Sequence, residues 1–220
     1  MSVGGVYTTL FDHYGPQGWW PGDTPFEVMV GAVLTQSTAW RNVEKAMANL
    51  KQVSALDPQA IAALEAAELA ELIRPAGYFN VKAQRLQSFC RWLLQQGGEA
   101  ALQSWDDATL RHALLSVNGI GPETADDMLL YAFVRPIFVI DAYTRRIFMR
   151  LGLIRGDERY EELRQHFEDQ LKANHTERPQ QTQLFNEYHA LIVIHAKRSC
   201  RSKPLCGECC LRGCCATAQG

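Results

Sequence analysis

No apolar run in the 220-residue chain approaches the ~18 residues that a membrane span requires. The longest, 28–34 and 191–194, are short, and Gly31 interrupts the first. The opening residues, MSVGGVYTTLFDHYG, have neither a basic leader nor a clean apolar core, so a secretory signal is not expected and a cytoplasmic location is (at the nucleoid, in a bacterium). Positive charge is not in excess either. Lys and Arg number 22 against 24 Asp and Glu, giving a net charge of −2 and a pI near 6.3, which excludes nucleic-acid binding by bulk charge alone. Cysteine is almost absent before residue 200, where only Cys90 occurs, so a disulfide scaffold is excluded. There is no sustained period-two alternation, no internal repeat and no low-complexity linker.

What is present is ordinary globular material, 47% hydrophobic and 21% charged, with enough length for one or two domains. Apolar residues recur at spacings of three and four. A helix is expected to open at Pro25, with others over 40–51, 58–66, 67–73, 81–96, 107–116, 122–133, 142–153, 158–174 and 180–197. Turns at Pro21-Gly22-Asp23, Pro75-Ala76-Gly77, Gly97-Gly98, Asn118-Gly119 and Arg155-Gly156-Asp157 separate them. Only 136–140 is strand-like, too short for a sheet, and the class is all-α.

Charge is uneven along the chain. Arg74, Lys82, Arg85 and Arg91 stand without an intervening acid; Arg135, Arg145, Arg146 and Arg150 surround Asp141 alone; Lys197, Arg198, Arg201, Lys203 and Arg212 are opposed only by Glu208. These are candidate phosphate contacts or merely solvated helix faces. Six of the seven cysteines (Cys200, Cys206, Cys209, Cys210, Cys214 and Cys215) fall in the last 21 residues, as a metal site in a reducing compartment would. Cys90 reads as a small core residue. The best ligand spacing is Cys200-x5-Cys206-x2-Cys209-x5-Cys215, although Cys210 and Cys214 adjoin two of these, and four thiolates suit iron–sulfur or zinc.

The most informative segment, 114–152, reads LLSVNGIGPETADDMLLYAFVRPIFVIDAYTRRIFMRLG. Gly119-Ile120-Gly121 joins two helices and leaves bare backbone N–H groups where a phosphate could sit, or serves only as a turn. A helix–hairpin–helix over 117–122, followed about twenty residues later by Asp141 opening another helix, resembles the endonuclease III superfamily of DNA glycosylases. Gly31-Ala32-Val33-Leu34-Thr35-Gln36-Ser37-Thr38 and the terminal cysteines extend the resemblance over nearly the whole chain. It implies a module over 24–134 carrying the hairpin, and a second helical lobe from 1–23 and 135–220 ending in a cysteine loop over 199–215, with Asp141 at the cleft between them. It also implies DNA contacts at Val117, Gly119, Ile120 and Gly121, and Gln36 filling the gap left by a flipped base. Asp141 would stabilise an oxocarbenium-like transition state and help position water. Its plain alternative is helix capping.

Members that cleave the strand carry a lysine two residues after the second hairpin glycine, where its amine forms a Schiff base with the sugar. Here that residue is Glu123, which implies a monofunctional enzyme; Lys82 or Lys197 is the candidate substitute amine. Gly119-Ile120-Gly121-Pro122-Glu123-Thr124-Ala125-Asp126, Trp19-Trp20-Pro21 and Arg74-Pro75-Ala76-Gly77-Tyr78-Phe79-Asn80 are similar to the type III 3-methyladenine DNA glycosylase branch. That implies a base pocket of Trp19, Trp20 and Trp40, with Glu123 and Lys197, for a flipped alkylpurine whose positive charge gains from aromatic faces. The same tryptophans could instead be core. The cysteine loop resembles the superfamily's [4Fe–4S] loop, with one residue fewer in the first gap, and would present Arg201 and Lys203 to phosphates of double-stranded DNA carrying a damaged base. The 3-methyladenine branch lacks this loop. Competing readings are a glycosylase and lyase for damaged or mismatched pyrimidines, and a non-catalytic DNA-binding iron–sulfur protein; nothing suggests other than a monomer.

Overall fold

The computed structural model describes residues 1–19, 22–173 and 177–219, and the chain is all-α, with no strand among the described residues. It divides into two compact units, Trp20–Val134, and Met1–Trp19 together with Arg135–Gly220.

The continuous unit holds α2 (Pro25–Thr35), α3 (Trp40–Gln52), α4 (Pro58–Ala63), α5 (Ala66–Leu72), α6 (Phe79–Gln95), α7 (Glu99–Leu102), α8 (Asp107–Leu115) and α9 (Pro122–Asp127). A π turn, Met128–Ala132, continues α9. α2 is its centre. Every residue from Phe26 to Leu34 is buried and all but Glu27 are apolar, and the helix packs against α3, α6, α9 and the π turn. Each large apolar side chain so buried contributes roughly 1.5–3 kcal/mol. Thr24 accepts a hydrogen bond from the Glu27 amide at 3.1 Å, and Pro25 opens the helix without wasting a donor. The buried carboxylate of Glu27 pairs with Lys51 at 2.6 Å. Gly31 lies under the Trp40 indole, where an added Cβ would come within 3.2 Å of the ring.

The discontinuous unit holds α1 (Val3–Tyr14), α10 (Ala142–Leu151), α11 (Tyr160–Lys172), α12 (Arg178–Arg198) and the short α13 (Ala216–Gln219). Its core is aromatic: Phe138, Phe148, Phe167, Phe185 and Tyr188 pack mostly edge to face, with Phe148 and Phe167 centroids 4.6 Å apart. α1 is not foreseen by the pattern reading, because Gly4 and Gly5 weaken the helical signal. It forms because Ser2 accepts from the Gly5 amide, Val3, Val6 and Leu10 bury one face, and the Tyr188 hydroxyl donates to the Val3 carbonyl at 2.6 Å. The strand-like 136–140 is extended but joins no ladder. Side chains satisfy its backbone instead, with Phe138 N–H donating to Glu168 at 3.0 Å and Ile140 N–H to the Tyr160 hydroxyl at 3.4 Å.

Candidate active site

In the continuous unit, the turn between α8 and α9 closes through Ile120 N–H to the Val117 carbonyl at 3.0 Å, and both side chains are buried. Gly119 has φ +90°, and a Cβ there would run into the Arg85 side chain. Only glycine fits. Gly121 is exposed, extended and surrounded by open space, so its bareness leaves the backbone approachable rather than relieving a clash. Gln36 is half-buried and turned onto the hairpin: its amide donates to the Gly119 carbonyl at 2.9 Å and to Thr124 Oγ1 at 3.0 Å, while its oxygen accepts from Arg85. Beneath, buried Asp126 receives Arg111 through two bonds of 2.6 and 3.2 Å, tying α9 to α8.

Glu123 is exposed in the first turn of α9. Lys82, which the sequence left as a substitute amine, is 1% exposed and donates to the carbonyls of Leu34 at 2.9 Å and Ala76 at 2.7 Å. Burial, with Arg85 nearby, lowers its ammonium to about 8. It fastens the end of α2 to the turn before α6.

In the discontinuous unit, Asp141 caps α10. Its Oδ1 accepts from Thr144 N–H at 2.6 Å and Thr144 Oγ1 at 2.8 Å, while Oδ2 faces Nε2 of His189 at 3.6 Å. Burial raises the Asp141 carboxyl, but His189 and the two Thr144 donors outweigh it and hold the group below the usual carboxylate range. Trp19 rests against the His189 ring, centroids 6.1 Å apart. The segment leading to Trp19 is held by Glu187 of α12, which accepts from Gln17 N–H and, at 3.2 Å, from Gly18 N–H. His189 and Glu187 escaped the sequence reading. Their only signal there is polarity within the largely buried stretch 184–192 of α12. Trp20 lies outside the described residues. Trp40 is half-buried over Gly31 in the other unit.

Arginines of α10 organise the cysteine loop. Arg146 donates to the Cys200 carbonyl at 2.9 Å; Arg150 donates to the Ser202 carbonyl at 2.9 Å, to the Arg201 carbonyl and to Cys200 Sγ at 3.3 Å. Leu211, 1% exposed, anchors the loop's apolar side. Cys200, Cys206, Cys209 and Cys215 border one small apolar-walled space, whereas Cys210 and Cys214 do not. Among the described residues no three His, Cys, Asp or Glu side chains converge closely enough to hold a single metal ion. All seven cysteines are free thiols, and burial pushes Cys90 up to about 12, an inert core thiol. His195 borders the same space, its Nε2 3.7 Å from Cys209 Sγ and its Nδ1 3.0 Å from the Tyr14 hydroxyl; burial lowers it to about 4. Lys197, Arg201 and Lys203 are exposed, and Arg201 Nε donates to the Lys197 carbonyl at 2.9 Å. No described helix is long and apolar enough to cross a membrane.

Comparison with known proteins supplies the family. Residues 30–173 match the HhH-GPD superfamily of base excision DNA repair proteins. An inferred DNA repair glycosylase of Methanocaldococcus jannaschii is 46% identical over 207 residues, 93% of this chain and 91% of the relative. Endonuclease III of Thermotoga maritima is 30% identical over 192 residues, 87% of this chain and 82% of the relative. Among solved structures, the 3-methyladenine DNA glycosylase of Helicobacter pylori, bound to 1,N6-ethenoadenine, superposes with a TM-score of 0.77 at 30% identity, covering 90% of this chain and 98% of that one. The chain belongs to the HhH-GPD superfamily of base excision DNA repair proteins, and within it is a DNA glycosylase.

Proposed function

We propose that the chain is a monofunctional glycosylase that hydrolyses the N-glycosidic bond of a flipped alkylated purine, such as 3-methyladenine, in double-stranded DNA. The observation that carries this reading is the carboxylate of Asp141, ionised and largely buried, with one oxygen committed to the helix cap and the other turned towards His189. As the C1′–N bond breaks, its electron pair neutralises the cationic base and leaves an oxocarbenium ion, which the carboxylate stabilises. Water adds to C1′ and its proton passes to Asp141 or to solvent. A cationic alkylpurine leaves readily, so the site has little need of an acid. Trp19, against His189, is an aromatic face for such a base, and Trp20, Trp40, Glu123 and Lys197 are the further base-contacting residues that the sequence resemblance assigns. Identity to a glycosylase that holds ethenoadenine supports a purine substrate.

Absence of lyase chemistry is supported by Glu123, which cannot form an imine, and by the burial of Lys82 between two carbonyls. DNA is gripped at the 117–121 hairpin, with Gln36 bracing it from within and reaching the gap once released from Gly119. Cys200, Cys206, Cys209 and Cys215 would hold a [4Fe–4S] cluster. Four thiolates around one space match its donor set, and the cluster supplies structural order that presents Arg201 and Lys203 to phosphates.

The test is base release from duplex DNA containing 3-methyladenine, comparing wild type with Asp141→Asn and scoring strand breaks before and after alkali. Free base that requires Asp141, with breaks only after alkali, is expected. Breaks without alkali would restore the glycosylase-lyase reading, and no release from this duplex would remove the alkylpurine assignment. Iron and sulfide analysis of the purified protein decides between the cluster and zinc.

A further inference from the structure

We infer that His189 is the positioning residue of the catalytic carboxylate, fixing the free oxygen of Asp141 and bracing the Trp19 ring beside it. The inference rests on Asp141 being the catalytic carboxylate. Oδ1 of that residue is fully occupied by the Thr144 amide and hydroxyl, so the cap alone orients one end of the carboxyl group. The reactive end is Oδ2, and the group that meets it is Nε2 of His189 at 3.6 Å, within ion-pair reach and longer than a tight hydrogen bond. Such contacts in free enzymes shorten when the reacting complex assembles. The imidazole is 6% exposed, so its direction is set by packing rather than by solvent.

The same ring lies against Trp19, and two residues earlier on α12 Glu187 grips the Gln17 and Gly18 amides that lead to that tryptophan. One helix therefore sets both the carboxylate and the aromatic beside it. Among the described residues, the groups around this pair include Thr144 at the start of α10, Trp19 on the segment before it, and Glu187, which holds the Gln17 and Gly18 amides and acts on Tyr7 of α1. With its proton on Nε2, as in the charged ring or that neutral tautomer, the imidazole directs an N–H at Oδ2. It keeps the carboxylate ionised and aims it at C1′ instead of letting it rotate about the cap.

His189→Leu removes the donor, and His189→Gln keeps an N–H near the position of Nε2. Two readouts are taken on the full chain. In the free protein, carbon-13 titration of the Asp carboxyls should show the Asp141 midpoint moving up in His189→Leu and staying near wild type in His189→Gln. In single-turnover excision from duplexes carrying 3-methyladenine or 1,N6-ethenoadenine, His189→Leu should slow the chemical step by about 10- to 100-fold. Binding to a duplex with an abasic analogue should change less than about twofold, and His189→Gln should recover most of the rate. Combined with Asp141→Asn, His189→Leu should add nothing. An unmoved Asp141 midpoint in His189→Leu, or equal losses for Leu and Gln, overturns the inference. Wild-type excision by Asp141→Asn overturns the catalytic reading instead, and the titration still decides whether the two side chains are coupled.

Discussion

The two units hold their functional elements in opposite ways. Around the hairpin, protein groups answer one another: Gln36 spans Gly119 and Thr124, Arg85 covers Gly119 and reaches Gln36, Lys82 joins two helix-end carbonyls, and Arg111 meets Asp126. In the other unit the terminal loop hangs on backbone carbonyls gripped by Arg146 and Arg150, and four thiols border a common space, where Arg150 meets Cys200 and Cys215 and His195 meets Cys209. The difference teaches that the hairpin is held by side chains answering one another, whereas the cysteine loop is held mainly through its backbone, leaving its thiols for the proposed cluster.

Breaking the hairpin side should have the largest thermodynamic effect. Asp126→Ala removes the buried carboxylate that receives Arg111 and is expected to cost about 3 kcal/mol, measured by urea unfolding, with the continuous unit losing amide-exchange protection first. A loss shared equally by both units would erase the contrast. On the other side, the proposed cluster predicts that Cys209→Ser lowers the iron content of the purified protein and raises proteolysis of 199–215, leaving hydrogen-exchange protection of α2 and α9 unchanged. Loss of protection in α2 would show that the hairpin unit also depends on the loop.

A pH experiment sharpens the comparison further. His195 has a folded value of about 4 against an ordinary 6.5, because burial disfavours its charged form. The unfolded chain therefore binds the extra proton first, so this contribution is complete above about 6.5 and is lost as pH falls towards 4. It amounts to about 3 kcal/mol at most, by 1.36 kcal/mol per unit. Stability of the discontinuous unit should decline across that window, and His195→Leu should flatten the slope. The smallest expected effect is at Gly121. Its Cβ position is open and its φ ordinary, so Gly121→Ala should leave the melting temperature nearly unchanged while weakening duplex binding, whereas Gly119→Ala should lower both.

Much of this was legible along the chain because it is local. Thr24, Asp57, Asp106 and Asp141 each accept from the amide three residues on, as caps do, and a lone Asp before a helix reveals itself by position alone. The glycines of the hairpin and the spacing of the cysteines are equally local. What escaped was separated in sequence. Asp141 and His189 lie 48 residues apart, and Gln36 meets a hairpin 83 residues away. Gln36 also illustrates how a position chosen for contact outside the protein can have its polar groups engaged inside it.

By itself, then, the amino-acid order determined that the chain is helical, where most helices begin, that a glycine hairpin precedes a capping aspartate, and that six of the seven cysteines end the chain. Periodicity, capping and turn chemistry act over a few residues, so they can be read without a fold. Only the tertiary structure decided that Lys82 is spent between two carbonyls, that Cys210 and Cys214 do not border the space shared by the other four thiols of the loop, and that His189 meets the second oxygen of Asp141. Those outcomes depend on which faces of distant helices are buried against each other, a long-range balance of burial and hydrogen bonding that no local pattern encodes.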